Sequence, residues 1–299
     1  MDIIKNFLNY NGSKDRILPL IKENLPKDCT TFVDLFGGSG VVSLNVDYDT
    51  ILYNEKNIYV YNLIRTIKEC DLDFILNRIE FLIEQYGLNK NNKEGYLKMR
   101  NDFNDLHYKL LNDKNETCRH ASNLALLTLI YHAFNYQIVF NKSGKFSVPS
   151  GAGRSWFNPT LKDKLINYKN RIDKIKDNLV LLKMDYKELY YEIMESKSLD
   201  KYIFFIDPPY FISDDVYSRT NSFKWTDKDE EDLYTICDEI NRLGGKFCLT
   251  NLLQKGDIIN DKLLEFSKKY NTINTHEDFH NSSYQRKNVK DVEILVKNY

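Results

Sequence analysis

The chain has 299 residues and a mass of 35.4 kDa, and 42 Lys and Arg against 43 Asp and Glu leave a net charge of -1. That balance excludes a wholly basic nucleic-acid coat, although an average conceals local patches. The five cysteines, Cys29, Cys70, Cys118, Cys237 and Cys248, form no CxxC pair, which excludes a disulfide framework and a zinc knuckle, and no run of about 18 apolar residues or cleavable leader occurs, so a soluble cytoplasmic protein without a metal or a membrane partner is expected.

In chain order, "TFVDLF" (Thr31 to Phe36) is a short apolar run that ends in "GGSG" and is followed by a helical pattern, predicting strand, tight turn and helix. "ILYNE" (Ile51 to Glu55) is a second strand with an acid at its end, and the two form a βαβ unit. From Leu63 to Tyr168 helical segments such as "YLKMRNDFNDLHYKLL" and "ASNLALLTLIYHAF" follow a solvated loop, "LNKNNKEG", and lead to a stretch rich in Gly, Ser and Asn. This region, residues 63–168, is predicted to be an inserted, mainly helical domain. "NLVLLKMD" (Asn178 to Asp185), "YIFFID" (Tyr202 to Asp207), "GKFCLTN" (Gly245 to Asn251) and "VEILVKNY" (Val292 to Tyr299) are strand-like, with helical patterns separating most of them. The alternation predicts an α/β domain, residues 1–62 and 169–299, with a mostly parallel sheet and helices on both faces.

From Asn141 to Asp177 nine basic residues (Lys142, Lys145, Arg154, Lys162, Lys164, Lys169, Arg171, Lys174, Lys176) face three acids, a local +6. Beside an active site such a patch suits phosphate contact; alone it would be a solvated face.

Ligands of open parallel sheets sit beyond the carboxyl ends of the strands, where "FGGSG" (Phe36, Gly37, Gly38, Ser39, Gly40) lies. Glycines permit positive φ and close approach of a ligand, and Glu55 is placed to accept from a ribose diol. The pattern only partly matches G-x-G-x-x-G, so an ordinary turn and a nucleoside cofactor site, NAD included, remain alternatives at this point.

Asp207-Pro208-Pro209-Tyr210 narrows them. The proline pair halts the strand and stiffens the turn, leaving the Asp207 carboxylate, the Pro208 carbonyl and the Tyr210 ring at the sheet's carboxyl edge. An exocyclic amino group on a nucleobase is a poor nucleophile because its lone pair is delocalised into the ring. Two acceptors bonded to its N-H groups favour the geometry that frees the lone pair, and an aromatic face holds a base flipped from the duplex.

With these elements in their order, the chain resembles the Dam-type class of DNA N6-adenine methyltransferases in its α-type arrangement. "NYNGSK" (Asn9 to Lys14) is similar to the W/Y-x-G-G-K motif, "FGGSG" to the F-x-G-x-G motif, "NEKN" (Asn54 to Asn57) to the ribose-binding D-x-N segment and "KMDY" (Lys183 to Tyr186) to the acidic motif at the cofactor adenine. "YLKMRNDFN" and "FNYQIVFNKSGKFSVPSG" resemble helical and loop signatures of the recognition domain, and "GGKFCLTN" and "EILVKNY" the closing strands. The resemblance implies a Rossmann-like fold for an S-adenosylmethionine-dependent methyltransferase with an inserted target-recognition domain. It implies that Tyr10, Gly12 and Lys14 help hold S-adenosylmethionine, that Phe36, Gly38 and Gly40, with Gly37 and Ser39, surround its methionine part, that Glu55 meets the ribose and Asp185 the adenine, and that Asp207, Pro208, Pro209 and Tyr210 form the target pocket, with Asp207 also near the cofactor. Lys14 and Asp185 have a plainer alternative as caps of neighbouring elements.

The resemblance further implies double-stranded DNA as substrate and a monomer, and it leaves three settings open: beside a cognate restriction endonuclease acting independently, in a phage, or as an orphan regulator. Asn135, Asn141, Lys142, Lys145, Pro149 and Arg154 are the expected DNA contacts. Val139 stands where an arginine reads the target in Dam-like members and Gly153 replaces an aromatic, so the target sequence is open and GATC is one candidate. Among rivals, cytosine-N4 methylation poses the same chemistry but more often has Ser in the motif. Cytosine-C5 methylation needs a nucleophilic cysteine, typically after proline, and no cysteine here adjoins a proline. A catalytically silent DNA-binding protein and a nicotinamide-dependent oxidoreductase complete the alternatives.

Overall fold

The computed structural model describes residues 3–8, 12–111, 115–195, 198–212, 225–275 and 291–299. In chain order the elements are α1 (Leu18–Asn24), β1 (Thr31–Asp34), a 3-10 turn (Ser43–Asn45), β2 (Thr50–Asn54), α2 (Ile58–Glu69), α3 (Leu72–Gln85), α4 (Lys93–Leu111), α5 (Glu116–His132), a second 3-10 turn (Phe134–Tyr136) and α6 (Pro159–Ile175). There follow β3 (Leu179–Leu182), α7 (Tyr186–Met194), β4 (Tyr202–Ile206), α8 (Asp227–Arg242), β5 (Lys246–Lys255), β6 (Ile258–Ile259), α9 (Asp261–Ser267), β7 (Asn271–Asn274) and β8 (Val292–Lys297). The chain divides into two compact units, one of Met1–Asp15, Gly38–Asn45 and Asn57–Lys183, the other of Arg16–Gly37, Val46–Lys56 and Met184–Tyr299.

The second unit is built on a sheet of order β2-β1-β4-β5-β8-β7, with β6 paired to β5. Its centre is parallel, from β2 through β1 and β4 to β5, and β8, β7 and β6 add antiparallel pairs. Burial follows that position. Ile203, Phe204, Phe205 and Ile206 of β4 are at most 1% exposed, because a central parallel strand is covered on both faces and reads as an unbroken apolar run. β1 is flanked by β2 on one side and β4 on the other, so the strand order reverses at β1, and open parallel sheets hold their ligands beyond the carboxyl ends of the strands at such a reversal.

The first unit is mainly helical and also holds β3. Asn57 and Asn115 cap α2 and α5 by accepting from the amides of Tyr59 and of Thr117 and Cys118, and Val60, Leu63, Ile64 and Ile67 give α2 one buried stripe. α5 is buried nearly all round from Ser122 to His132, which makes it the central helix of this unit. α6 starts at Pro159, where a missing N-H costs nothing, behind the Asn158 cap.

Two expectations need correction. The glycine turn is followed by a three-residue 3-10 turn, Ser43–Asn45, and not by an α-helix. Only nine residues separate Gly40 from Thr50, and the Asn45 side chain donates to the carbonyls of Val41 and Ile4 at 2.7 and 2.8 Å, closing the segment on itself. The loop read at Leu88 to Gly95 yields to α4 at Lys93, because Asn92 accepts from the Gly95 amide at 2.9 Å and starts the helix.

Candidate active site

In the second unit the exit of β1 is strapped between its neighbours. The Leu35 amide donates to the Phe205 carbonyl at 3.0 Å and the Gly37 amide to the Asn54 carbonyl at 2.7 Å. A side chain at Gly37 would lie 2.3 Å from the Tyr53 ring, so this glycine is required by Tyr53, independently of any ligand. Asn54, 2% exposed, fastens a third segment: its amide nitrogen donates to the Leu35 and Met184 carbonyls at 3.2 and 3.1 Å while its oxygen accepts from the Met184 amide at 2.9 Å. Met184 thereby delivers Asp185 next to the end of β2, where Glu55 is half-buried.

Asp185 caps α7. It accepts from the Lys187 amide at 3.0 Å, Glu188 returns the bond to the Asp185 amide at 3.2 Å, and the other carboxylate oxygen pairs with Lys56 at 2.6 Å. Burial pushes its pKa up, but the Lys56 ammonium and the Lys187 amide outweigh that and hold the carboxyl below its ordinary value. The Phe36 ring packs with Tyr186 at 5.1 Å and Trp225 at 5.7 Å, forming an aromatic corner whose indole Nε1 is buried and meets no acceptor among the described residues.

β4 ends at Ile206, and Asp207 leaves the sheet half-buried, followed by buried Pro208. The Thr250 hydroxyl on β5 donates to Asp207 Oδ1 at 2.9 Å, and the Tyr210 phenol donates to Glu293 Oε1 on β8. Burial, with the Asp207 and Glu293 carboxylates beside it, holds the Tyr210 pKa well above that of an ordinary tyrosine, so the phenol stays protonated and remains a donor.

In the first unit, residues 133–158 form a clamped hairpin, with antiparallel bridges Ala133 to Ser150 and Phe140 to Phe146. Asn104 of α4 grips Phe146 in both directions, donating to its carbonyl at 3.0 Å and accepting from its amide at 2.8 Å, while the Tyr96 hydroxyl and Arg100 donate to the Val148 carbonyl at 2.8 and 3.1 Å. Phe140 stacks on Tyr59 at 3.6 Å and 7°. Asn141 closes the tip, its side-chain oxygen accepting from the Ser143 amide and hydroxyl and the Lys145 amide.

Lys142, Lys145, Pro149, Arg154 and Asn135 are exposed, Arg154 lies 5.6 Å over the Phe134 ring, and Asn135 sits at φ 52. From Thr117 to Lys162 the chain holds no Asp or Glu, which leaves this surface without a carboxylate of its own. The larger basic patch shrinks, since Lys162 pairs with Glu80, Lys169 is buried on Asp173, and buried Arg171 donates to the Leu44 carbonyl.

Of the remaining cofactor candidates, Gly12, Gly38 and Gly40 belong to the first unit and take φ of 79, 50 and 73. Lys14 is 5% exposed with its ammonium donating to the Gly12 carbonyl at 2.9 Å, and the Ser39 carbonyl accepts from the Tyr168 hydroxyl at 2.7 Å. Tyr10 lies outside the described residues.

The family model of the D12 class N6 adenine-specific DNA methyltransferases matches residues 10–293. The chain belongs to this family. Type II methyltransferase M.FokI of Planomicrobium okeanokoites is 33% identical to it over 298 residues, 99% of this chain and 43% of that protein. Modification methylase StsI of Streptococcus sanguinis is 27% identical over 301 residues with the same shares, 99% and 43%. The DNA adenine methylase of Serratia marcescens is 30% identical over 146 residues, 48% of each. The D12-class chain thus spans less than half the length of M.FokI and StsI.

Three residues of the candidate site in this D12-class chain escaped the sequence reading. Thr250, Glu293 and Trp225 reach the site only through tertiary structure, and no spacing rule links them to Asp207, Tyr210 or Phe36. For Thr250 and Glu293 the sole hint was that each lies in a strand-like run.

Proposed function

We propose that the protein is a DNA methyltransferase that transfers a methyl group from S-adenosylmethionine to N6 of an adenine flipped out of duplex DNA. The observation that carries this is the Asp207 to Tyr210 turn beyond β4, with its acid anchored by Thr250 and its phenol by Glu293, in a chain of the D12 class. Asp207 and the Pro208 carbonyl accept from the two N-H groups of the adenine amino group and bias it toward the pyramidal form. Because both acceptors are fixed before the base arrives, no reorganisation is needed as positive charge develops on nitrogen. Tyr210 offers its ring face to the flipped base.

The residues near β1 and β2 suit the methyl donor. The Phe36 corner is apolar with one unanswered indole donor, Glu55 stands at the end of β2 for a ribose diol, and Asp185 for the adenine amino group. Asp185 already serves Lys56 and the Lys187 amide, so it meets the adenine by sharing an oxygen. When bound, S-adenosylmethionine supplies an electrophilic methyl group on a sulfonium. Lys142, Lys145 and Arg154, with Asn135 and Pro149, meet the DNA backbone and groove, while Asn141 shapes the hairpin tip.

The protein acts as a monomer in the cytoplasm, alongside a restriction endonuclease that works independently. The test is Asp207→Ala. Labelled methyl transfer to duplex DNA should vanish while the circular dichroism and thermal midpoint stay close to wild type; a variant that still transfers at near wild-type rate would remove Asp207 from the mechanism.

A further inference from the structure

An acceptor and an aromatic face work only if their planes are set, and neither proline of the turn sets the carboxylate of Asp207 or the ring of Tyr210. The sheet register supplies what does. β4 and β5 run parallel with Ile206 opposite Leu249, so the next pair along is Asp207 and Thr250. β5 and β8 run antiparallel with Thr250 opposite Leu295 and Leu252 opposite Glu293. Side chains alternate along a strand and cross-strand partners share a face, so Thr250, Leu252, Leu295 and Glu293 all project from one face of the sheet. Glu293 lies one step closer than Leu295 to the carboxyl edge where the turn emerges, just before the register shifts between Leu252 and Gln254. Irregularities of this kind commonly adjoin active sites, where they re-aim a side chain.

The bonds follow the register. Thr250, fully buried, donates to Asp207 Oδ1 at 2.9 Å, and the Tyr210 phenol donates to Glu293 Oε1 and also lies within hydrogen-bonding reach of the Thr250 hydroxyl. Four side chains, two from the turn beyond β4 and one each from β5 and β8, therefore form one connected network.

We propose that Thr250 and Glu293 are positioning residues for methyl transfer, Thr250 fixing the plane of the Asp207 carboxylate and Glu293 fixing and polarising the Tyr210 phenol. This rests on the adenine methylation reading given above. A phenol that donates to a carboxylate makes a charge-assisted bond, roughly twice as strong as a neutral one, and its ring becomes richer in electrons. The adenine amino nitrogen is neutral when the base enters and gains positive charge as the methyl group arrives. An electron-rich face favours that charge, so the effect of Glu293, exerted through the phenol, falls on the transition state more than on base or DNA binding.

The experiment is single-turnover transfer of labelled methyl groups to duplex DNA by the wild type, Glu293→Gln, Tyr210→Phe, their double variant, Thr250→Val and Thr250→Ser. Glu293→Gln should slow transfer roughly 10- to 100-fold, as losing the outer partner of a metal-ligating side chain does, with the KM for DNA unchanged. Because Glu293 acts through the phenol, the double variant should be no slower than Tyr210→Phe alone. Thr250→Val should be slow and Thr250→Ser, which restores the hydroxyl, should recover the rate. A Glu293→Gln enzyme at wild-type rate, losses that multiply in the double variant, or a Thr250→Ser no faster than Thr250→Val would overturn the positioning role while leaving the methylation reading in place. A wild-type protein that methylates no DNA would remove that reading and this proposal together.

Discussion

Gly37 offers a quantitative check on how the strap beyond β1 is built. In Gly37→Ala the new methyl would stand 2.3 and 2.4 Å from two ring carbons of Tyr53 and 3.0 Å from the Asn54 carbonyl, well inside van der Waals contact. Neither side yields easily. Tyr53 is 1% exposed and cannot swing into solvent, and the strap is held by the 2.7 Å bond from the Gly37 amide and the 3.0 Å bond from Leu35. Overpacking of this kind costs about 1–3 kcal/mol. Urea denaturation should show a lower midpoint with unchanged slope, and calorimetric titration should show weaker S-adenosylmethionine binding, because Phe36 rides on the same strap. In a Tyr53→Val background the space is open, so Gly37→Ala should cost less there, a coupling of about 0.5–3 kcal/mol. A single variant within about 0.5 kcal/mol of wild type, or an equal loss in both backgrounds, would refute the steric account.

Asn104→Ala removes both grips on Phe146, a loss of about 1–3 kcal/mol at two net hydrogen bonds, and hydrogen exchange should rise at the Asn141 and Ser147 amides; unchanged protection there would show that the hairpin holds without Asn104. Replacing Lys142 and Lys145 with Ala should weaken binding to duplex DNA and lower the slope of log affinity against log salt by about one for each phosphate the lysines neutralise, and an unchanged slope would return these lysines to solvent. Burial lowers the pKa of His132, whose Nδ1 contacts the Thr128 carbonyl. Its unfolded pKa is about 6.5, so the unfolded chain takes up the proton first as pH falls. Its contribution is complete above that value and is lost as pH drops toward the lower folded pKa. Unfolding free energies from pH 7.5 down to 5.5 should fall less steeply in His132→Gln, and identical slopes would contradict this.

The parts that sequence revealed are those whose physics is local. "YIFFIDPPY" declares a central strand and its stop because an apolar run meets two residues without N-H groups, and β4 ends at Ile206 as that chemistry requires. The apolar runs that begin at Thr31 and Ile51 are local too, and they form β1 and β2. What stayed hidden depends on partners far along the chain. Thr250 and Glu293 meet Asp207 and Tyr210 across separations of 43 and 83 residues, through a strand register that periodicity does not encode. β7, "NTIN", is polar and largely exposed, with nothing in its pattern to mark a strand. Charge counting overstated the basic surface, because whether Lys169 and Arg171 face solvent depends on where α6 buries them. Gly37 was read for ligand approach, and its glycine turns out to answer a tyrosine on the next strand.

The most direct measurement is the chemical identity of the product. The protein would be incubated with duplex DNA of mixed sequence and methyl-labelled S-adenosylmethionine, the DNA digested to nucleosides, and the labelled nucleoside identified. The account predicts label in N6-methyladenine and none in the Asp207→Ala variant. Label in N4-methylcytosine, or no label in any DNA, would contradict it.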